Sequence, residues 1–232
     1  MRIDVWTDII CPFCTIAKAE LDKALESFPH AGAVTVVPRS YELHPGAPVE
    51  PTTAYLEKKY GWSPAVLARQ CDHIDARARR LGLRYNWRPS INAPTRDAHR
   101  LVKLAATHGL ARPAEDAFMH AYFTDARDVS DHDVLREVAA SVGLDARRVK
   151  EVLTSEEFAD AVAADTAEAG RLGVTGTPFF LIDGRYTLSG AQPAVALGEA
   201  LTRVWAETHP LTSLADLGIG VAAPACGPEG CA

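Results

Sequence analysis

The sequence predicts an α/β fold in which a small sheet is interrupted by a large helical insertion. Strand-type patterns at residues 3–7 and 34–41 enclose an amphipathic helix, which makes a β-α-β opening. Residues 46–155 then carry almost only helical periodicity. Strand-type composition returns late in the chain, around an Asp183-Gly184 dipeptide that is typical of a two-residue hairpin turn. Without the insertion, a small sheet with a parallel start and a hairpin at its end remains.

The opening segment changes from strand to helix at the first cysteine. Ile3 and Val5 alternate with polar neighbours, and Pro12 fits the first position of a helix, where its missing N–H costs nothing. The helix then shows one apolar stripe at spacings of three and four: Phe13, Ile16, Ala17, Leu21, Ala24, Leu25 and Phe28.

Capping residues and glycines mark the helices of the insertion. We expect helices from Ser63 to Gly82, Thr95 to His108, Pro113 through Tyr122, and Ser130 to Gly143, then N-caps at Asp145 and Ser155 with a last helix ending at Gly173. A final helix spans about residues 193–207, and the segment after it shows no convincing periodicity.

A strand, a Cys-x-x-Cys pair at a helix start and a hairpin after Thr177-Pro178 together indicate a thioredoxin fold with a helical insertion. We expect residues 1–45 and 156–208 to form the two parts of that fold. Residues 46–155 then form the inserted helical domain, and residues 209–232 a C-terminal tail.

Composition narrows the class of partner and the compartment. The chain has 232 residues, is 47% hydrophobic and carries a formal net charge of −6, which disfavours nucleic acid and anionic membranes as partners. The sequence has no apolar stretch that approaches the roughly 20 residues of a membrane-spanning helix. It also has no secretory signal before Cys11. We therefore expect a cytoplasmic protein, whose five cysteines serve catalysis, redox sensing or metal binding rather than static disulfides.

The Cys11-Pro12-Phe13-Cys14 pair is the candidate redox centre. Free N–H groups at the start of a helix stabilise an anion, so Cys11 is expected to be the exposed, nucleophilic thiolate. Cys14 lies one turn further on as the shielded, resolving thiol. The competing interpretation is half of a zinc site, although zinc pairs normally sit on knuckles and hairpins.

Thr177-Pro178 stands directly before the third predicted strand. In the thioredoxin superfamily a cis-proline at this place faces the cysteine pair, and we expect a cis bond here. An ordinary trans proline at a strand start is the alternative.

Three further cysteines need separate interpretations. Cys226 and Cys231 flank Gly-Pro-Glu-Gly, a turn-forming sequence that could bring them together as an auxiliary redox pair; idle or metal-binding thiols are the alternatives. Cys71 falls on an apolar stripe with Leu67 and Ile74, so we expect a small buried core residue.

The sequence resembles the DsbA-like oxidoreductases of the FrnE type over about residues 1–205. The matching segments are Cys11-Pro12-Phe13-Cys14, Ala98-His99-Arg100-Leu101, Ala121-Tyr122-Phe123-Thr124, Ser130-Asp131-His132-Asp133-Val134-Leu135, Gly173-Val174-Thr175-Gly176-Thr177-Pro178-Phe179-Phe180 and Gly190-Ala191-Gln192-Pro193. The resemblance implies a cytosolic dithiol enzyme with oxidase and isomerase activity, linked to oxidative-stress tolerance. Some members carry a second cysteine pair in a C-terminal tail.

We therefore expect a protein-disulfide oxidoreductase acting on disulfide-bearing proteins or small thiols. Its catalytic residues are Cys11, Cys14, Thr177 and Pro178, and substrate-binding residues are Trp6, Pro12, Phe13 and Gly176. No bound cofactor and no metal are expected, and glutathione is a candidate electron donor. The alternatives are a glutathione-dependent isomerase or transferase of the hydroxychromene-carboxylate isomerase or kappa type, and a four-cysteine zinc protein.

Overall fold

The computed structural model describes residues 1–210 together with the backbone of residues 226–227 and 230–231. The strands are β1 (Arg2–Thr7), β2 (Thr35–Ser40), β3 (Glu50–Pro51), β4 (Ile91–Asn92), β5 (Phe179–Ile182), β6 (Tyr186–Ser189), β7 (Cys226–Gly227) and β8 (Gly230–Cys231). The helices are α1 (Pro12–Glu26), α2 (Thr52–Tyr60), α3 (Pro64–Arg79), α4 (Arg96–Ala106), α5 (Ala111–Phe123), α6 (His132–Ser141), α7 (Ala146–Leu153), α8 (Ala159–Arg171) and α9 (Ala194–Thr208).

The main sheet has the strand order β2-β1-β5-β6. β1 runs parallel to β2 and antiparallel to β5, and β5 and β6 form the hairpin that the sequence predicts. Its turn residues Asp183 and Gly184 have φ values of 49° and 66°, the left-handed conformation that a two-residue hairpin turn of this type requires. The expected α/β class with a helical insertion is confirmed.

Residues 1–210 form two large hydrophobic cores and a smaller cluster around Trp6 and Phe179. One lies on the sheet, where Ile3 and Val5 of β1 pack with residues of α1 and α9 such as Leu21 and Leu201. The other fills the inserted helices, and it also contains Cys11 and Cys14. Helix α1 therefore packs against both cores.

A buried carboxylate connects the insertion to the sheet. Asp165 on α8 accepts hydrogen bonds from Arg39 Nη1 at 2.9 Å and from the backbone N–H of Ser40 at 2.8 Å, and it pairs with Lys103 on α4. Arg39 also donates to Asp4 on β1 at 2.7 Å. These ion pairs hold α4 and α8 against the edge of β1 and β2.

Several boundaries differ from the expectations. Helix α5 begins at Ala111 rather than Pro113, since a proline within the first turn loses no helical hydrogen bond. The N-cap of α6 is Asp131 and not Ser130. Helix α8 begins at Ala159, because Phe158 adopts a left-handed conformation with φ of 64° and stops helix formation from Ser155. Helix α2 and the short β3–β4 pair were not predicted individually.

Within the residues that the structure describes, none of the helices combines the length and the hydrophobicity that crossing a membrane requires.

Arg100 holds the α7–α8 connection against α4. Its guanidinium is 2% exposed and donates to Glu157 O and to Asp97 Oδ1, both at 2.8 Å, and to the carbonyls of Val152 and Ser155. Three backbone carbonyls thus accept hydrogen bonds from one charged side chain.

We predict that Arg100→Met lowers the free energy of unfolding by about 3 kcal/mol, because those carbonyls lose their charged donor inside the protein. Urea denaturation measures the change. Arg136→Met removes an exposed arginine of α6 and should cost less than about 0.5 kcal/mol. Equal midpoints for the two variants would contradict this role of Arg100.

Candidate active site

Cys11 occupies the N-cap position of α1. Its backbone is extended, with φ of −90° and ψ of 111°, and its side chain makes no capping hydrogen bond. The Cys11 N–H donates to Asp8 O at 3.1 Å, and the Cys14 N–H donates to Cys11 O at 3.0 Å. This tight turn places both sulfur atoms at the positive end of the helix, where an anion is stabilised.

The two thiols have opposite pKa shifts. A hydrogen bond from the Cys14 thiol lowers the pKa of Cys11, and this effect exceeds the increase caused by burial. Burial raises the pKa of Cys14 well above its ordinary value. Cys11 is therefore the thiol that ionises, and Cys14 is the one that keeps its proton beside the Cys11 thiolate.

Thr177 and Pro178 lie across from the cysteine pair. The peptide bond between them is cis, as the sequence predicts. The Cys11 thiol donates to Thr177 O at a sulfur–oxygen distance of 3.6 Å. The buried Thr177 hydroxyl has no partner of regular hydrogen-bond geometry within residues 1–210, yet it lies close enough to both thiols to lower their pKa values.

Asp8 fixes the loop that carries the site. Its carboxylate is fully buried, accepts from Leu43 N at 2.7 Å and lies 3.3 Å from Nε2 of His99 on α4. The Asp8–His99 contact joins the β1–α1 loop to the insertion. The Asp8 charge also acts on Cys11, where it opposes the lowering of the pKa by the hydrogen bonds. Sequence reasoning missed this pair, although His99 belongs to one of the segments quoted for the family resemblance.

A cavity of about 270 Å³ opens beside Cys11, between the start of α1, the Gly176-Thr177 loop and helices α2 and α3. Its wall includes the aliphatic side chains of Leu43, Leu56, Leu67 and Ile74 and the aromatic rings of Phe13, Tyr60, Trp62, Trp87 and Tyr122. The rings of Tyr60 and Trp62 stack with centroids 4.6 Å apart, and Tyr60 is 50% exposed.

Two hydrogen bonds pair polar side chains of the cavity wall, which also contains Gln70 and the Thr177 hydroxyl, unpaired within residues 1–210. Nδ1 of His44 lies 3.0 Å from Asn92 Oδ1, and burial lowers the pKa of His44, so its ring is neutral at pH 7. The Tyr122 hydroxyl lies 3.0 Å from Thr52 Oγ1, and burial raises the pKa of Tyr122 to about 12. The wall therefore presents uncharged surface to a ligand.

Most of the expected site residues meet at this cavity. Cys11, Pro12, Phe13, Gly176 and Thr177 all line it. The expectation that Cys11 is exposed is wrong, because only 3% of its surface is accessible and its sulfur is reached through the cavity. Cys14 is shielded, as expected, with no accessible surface.

Trp6 does not belong to the substrate-binding set. The expectation is wrong because the Trp6 side chain has no exposed surface and packs edge-on against Phe179. Its indole N–H donates to Asp165 O at 2.9 Å, inside the sheet–insertion contact. Trp6 belongs to a hydrophobic cluster with Ala169 and Phe179, separate from the cluster that contains Cys11 and Cys14, and it does not line the cavity.

Cys71 is also placed differently from the expectation. It is half-buried rather than part of the core, and it lines the same cavity as Cys11. Burial raises the pKa of Cys71 to about 11, so this thiol is protonated at neutral pH. Sequence periodicity identified its helix face correctly but could not show that the face borders a cavity.

The tail cysteines lie largely outside the described residues. The backbone of β7 and β8 is antiparallel, with Cys226 opposite Cys231. Within residues 1–210, side chains of histidine, cysteine, aspartate and glutamate form no cluster of three or more suited to a metal ion.

A cysteine pair at the start of a helix, opposite a cis-proline and under a helical insertion, defines a thioredoxin-fold protein of the DsbA-like class. The chain belongs to the DSBA-like thioredoxin domain family, whose model matches residues 2–202. It is thus a member of the DsbA-like thiol–disulfide oxidoreductases, and the broader part of the family resemblance is confirmed.

Solved structures agree with this assignment. A probable DsbA oxidoreductase from Streptomyces coelicolor is 43% identical, with a TM-score of 0.87 over 100% of this chain and 98% of that chain. A 2-hydroxychromene-2-carboxylate isomerase shares the fold at 16% identity, with a TM-score of 0.67 over 92% of this chain and 100% of that one. The cytosolic disulfide reductase DsbM from Pseudomonas aeruginosa does so at 16% identity, with a TM-score of 0.62 over 88% and 98%.

We predict that Thr177→Val raises the pKa of Cys11, because the thiolate loses a hydroxyl donor while its burial is unchanged. The absorbance of the thiolate at about 240 nm, followed against pH, reports the shift. The thiolate fraction at pH 7 should fall accordingly. Thr177→Ser keeps the hydroxyl and should keep the wild-type curve; a Thr177→Val curve that overlays it would show that the hydroxyl does not act on Cys11.

Proposed function

We propose that this chain is a cytoplasmic thiol–disulfide oxidoreductase of the FrnE type, exchanging disulfides through Cys11 and Cys14. The observation that carries the proposal is the position of Cys11 at the N-cap of α1, 3.6 Å from Thr177 O beside the cis-proline and one turn from the buried Cys14. The pKa shifts agree with it, since the pKa is lowered at Cys11 and raised at Cys14. One sulfur is thereby prepared to attack, and the other is protonated until the attack has occurred. Membership of the DsbA-like oxidoreductases supports this reading.

The proposed exchange of disulfides proceeds in two steps, formation of a mixed disulfide and its resolution. The Cys11 thiolate attacks one sulfur of a substrate disulfide, forms a mixed disulfide, and releases the other substrate sulfur as a thiolate. Cys14 then loses its proton and attacks Cys11 Sγ, which forms the Cys11–Cys14 disulfide and releases the second substrate thiol. The substrate gains two electrons, and the protein loses two. In the reverse direction a substrate dithiol is oxidised.

Isomerisation uses the first step alone. If a second substrate cysteine attacks the mixed disulfide before Cys14 does, Cys11 is regenerated and no net electrons are transferred. The raised pKa of Cys14 favours this outcome, since a protonated thiol attacks slowly. We propose both activities on disulfide-bearing proteins or small thiols.

The roles of the neighbouring residues follow from their positions. We propose that Thr177 and Pro178 form the loop against which the substrate sulfur is placed, next to Cys11 Sγ. Pro12, Phe13 and Gly176 line the approach to that sulfur. The exchange requires no bound cofactor and no metal, and glutathione is a candidate electron donor.

A structural neighbour from the cytosol supports the cytoplasmic assignment. The cytosolic disulfide reductase DsbM shows that a cytosolic enzyme can carry this fold. In a reducing compartment the Cys11–Cys14 pair would return to the dithiol state after each oxidation.

A glutathione-dependent isomerase is the alternative function on this fold. Such an enzyme needs the reactive group at Cys11 but no resolving thiol at Cys14. Removal of Cys14 therefore separates the two functions.

We predict that Cys11→Ser abolishes reduction of insulin disulfides, whereas Cys14→Ser leaves a covalent mixed disulfide between Cys11 and its substrate. The first variant removes the attacking thiolate, and the second removes the thiol that resolves the adduct. Turnover of insulin and the mass of the intact protein provide the measurements. Ala76→Ser, at an exposed position of α3 outside the cavity wall, is the control and should behave as wild type. Full turnover of insulin by Cys14→Ser would contradict the resolving role of Cys14.

We also propose that Cys226 and Cys231 form an auxiliary redox pair that exchanges with the active site. Residues opposite each other in an antiparallel ladder lie about 4.5–5.5 Å apart between Cα atoms, which falls within the range of disulfides. From Thr208, 18 residues lead to Cys226, enough chain to reach roughly 60 Å at about 3.3 Å per residue. Tethering gives the tail thiols an effective concentration of about millimolar.

For the tail we predict an intramolecular link between Cys11 and Cys226 or Cys231 when Cys14→Ser protein is oxidised. Disulfide mapping by mass spectrometry identifies the partner. The same protein with both tail cysteines changed to serine should form only glutathione adducts when glutathione is present. If the intact tail also yields glutathione adducts alone, the auxiliary role is ruled out.

A further inference from the structure

One side chain of the insertion contacts the backbone between the two cysteines of the pair. The hydroxyl of Tyr85, which lies in the segment that joins α3 to β4, donates to the carbonyl oxygen of Pro12 at 2.7 Å. Pro12 is the first residue of α1 and directly follows Cys11 at the N-cap. The turn that carries the reactive sulfur is therefore hydrogen-bonded to a residue 73 positions further along the chain.

Aromatic packing holds the Tyr85 ring in place. Its centroid lies 4.6 Å from that of Phe123 on α5 and 5.5 Å from that of Trp87. Trp87 is fixed in turn, because its indole N–H donates to Asp75 Oδ1 on α3 at 2.6 Å. Burial raises the pKa of Tyr85 above its ordinary value, so the hydroxyl keeps the proton that it donates to Pro12.

The Pro12 carbonyl belongs to the same amide as the N–H of Phe13. In a chain of hydrogen bonds each bond polarises the next, so an amide whose oxygen accepts a bond donates more strongly through its N–H. Phe13 is the second residue of α1, and the N–H groups at the second and third helical positions are the usual donors to an N-cap side chain. The Tyr85 hydroxyl therefore acts on a donor that serves the Cys11 sulfur.

Ionisation changes the hydrogen bonds of the Cys11 sulfur. The protonated thiol donates to Thr177 O at 3.6 Å and accepts no capping bond from the start of α1. A thiolate has no proton to donate, so it needs N–H and O–H donors in place of that carbonyl. The N–H groups of Phe13 and Cys14 stand at the two positions from which a helix supplies such donors.

Positive side chains do not take over this task. The hydrogen bond from the Cys14 thiol contributes most to the lowered pKa of Cys11, and the negative charge of Asp8, which lies beside His99, opposes it. Neither a lysine nor an arginine is among those residues of 1–210 that line the cavity next to the sulfur. The titratable side chains of that wall include three that are uncharged at neutral pH: His44, Cys71 and Tyr122. The backbone donors at the start of α1 are therefore important for the thiolate.

We propose that Tyr85 is a positioning residue for the active site, whose hydrogen bond to Pro12 O strengthens the Phe13 N–H as a donor to the Cys11 thiolate. This role presupposes the disulfide exchange proposed above and explains how the insertion regulates it. Tyr85 touches neither sulfur in the exchange and acts only through the amide between Pro12 and Phe13.

Tyr85→Phe removes the hydroxyl and keeps the ring that packs on Phe123. We expect the acid ionisation constant of Cys11 to fall about threefold, a rise of about half a unit in its pKa, because one polarising bond is lost from the chain. The pH dependence of alkylation by iodoacetamide, read from fragment masses, gives this pKa for Cys11 alone. Tyr186→Phe removes a hydroxyl that donates to Glu207 from the edge strand β6, and it should leave the pKa unchanged. Equal values in Tyr85→Phe and wild type would overturn the proposal.

A fluorine atom on the ring separates polarisation from a merely structural contact. Tyr85→3-fluorotyrosine preserves the shape of the side chain and makes its hydroxyl a stronger donor, and burial keeps that hydroxyl protonated. The pKa of Cys11 should fall below the wild-type value, opposite to the change in Tyr85→Phe. An unchanged or raised pKa contradicts polarisation, and this variant decides the matter even where Tyr85→Phe unfolds.

Isotope labels follow the effect through the amide. Proline labelled with ¹³C at the carbonyl and phenylalanine labelled with ¹⁵N together mark the two Pro–Phe peptides of the chain, Pro12-Phe13 and Pro178-Phe179. In Tyr85→Phe the Phe13 amide proton should move upfield while that of Phe179 stays in place. A stationary Phe13 signal would overturn the proposal.

Insulin turnover on the same samples keeps the two levels apart. Wild-type protein that shows these shifts at Cys11 but reduces no insulin would overturn the exchange function and leave the effect of Tyr85 on ionisation established. Normal turnover without any shift in Tyr85→Phe would overturn the role of Tyr85 and leave the exchange function intact.

Discussion

The register between β1 and β5 determines where the reactive sulfur meets its partner loop. Trp6 lies opposite Phe179, so the two residues before β5 reach the end of β1 from which the Cys11 loop emerges. The contact between Cys11 Sγ and Thr177 O at 3.6 Å joins segments 166 residues apart. Because side chains alternate with a period of two, a slip of one residue would turn Phe180 out of the core and displace Thr177. The chemistry of the pair thus depends on correct strand pairing.

The helical insertion is part of the site rather than a cover added to it. Cys11 and Cys14 belong to the same hydrophobic cluster as Leu101 and Phe118 of the inserted helices. Burial in that cluster raises the pKa of both thiols, and only the hydrogen bonds at Cys11 reverse the effect. The insertion therefore contributes to the difference between the two sulfurs as well as to the cavity wall.

The parts of the fold and of the site that depend on residues adjacent in the chain could be predicted from the sequence. The proline-started helix and the Asp183-Gly184 turn are determined by residues adjacent in the chain, and the structure contains both. The cis bond at Thr177-Pro178 was expected because of the distant cysteine pair, and the structure contains it too. The cavity is different, since it exists only where α2 and α3 pack beside α1. Cys71 and Trp6 were misplaced for the same reason: periodicity defines a face of a helix or strand, but not what lies opposite. The Asp8–His99 contact spans 91 residues, and no local pattern encodes it.

The distance between Cys11 and Thr177 along the chain has a consequence during synthesis. Ribosomes add about 5–20 residues per second, so the 166 residues between the two take roughly 8–33 s to appear. Throughout that interval the nascent polypeptide presents both thiols without the loop that will later face them and without β5 beside β1. The inserted helices that bury both thiols are complete before that, whereas the cis-proline loop joins the site only when β5 has left the ribosome.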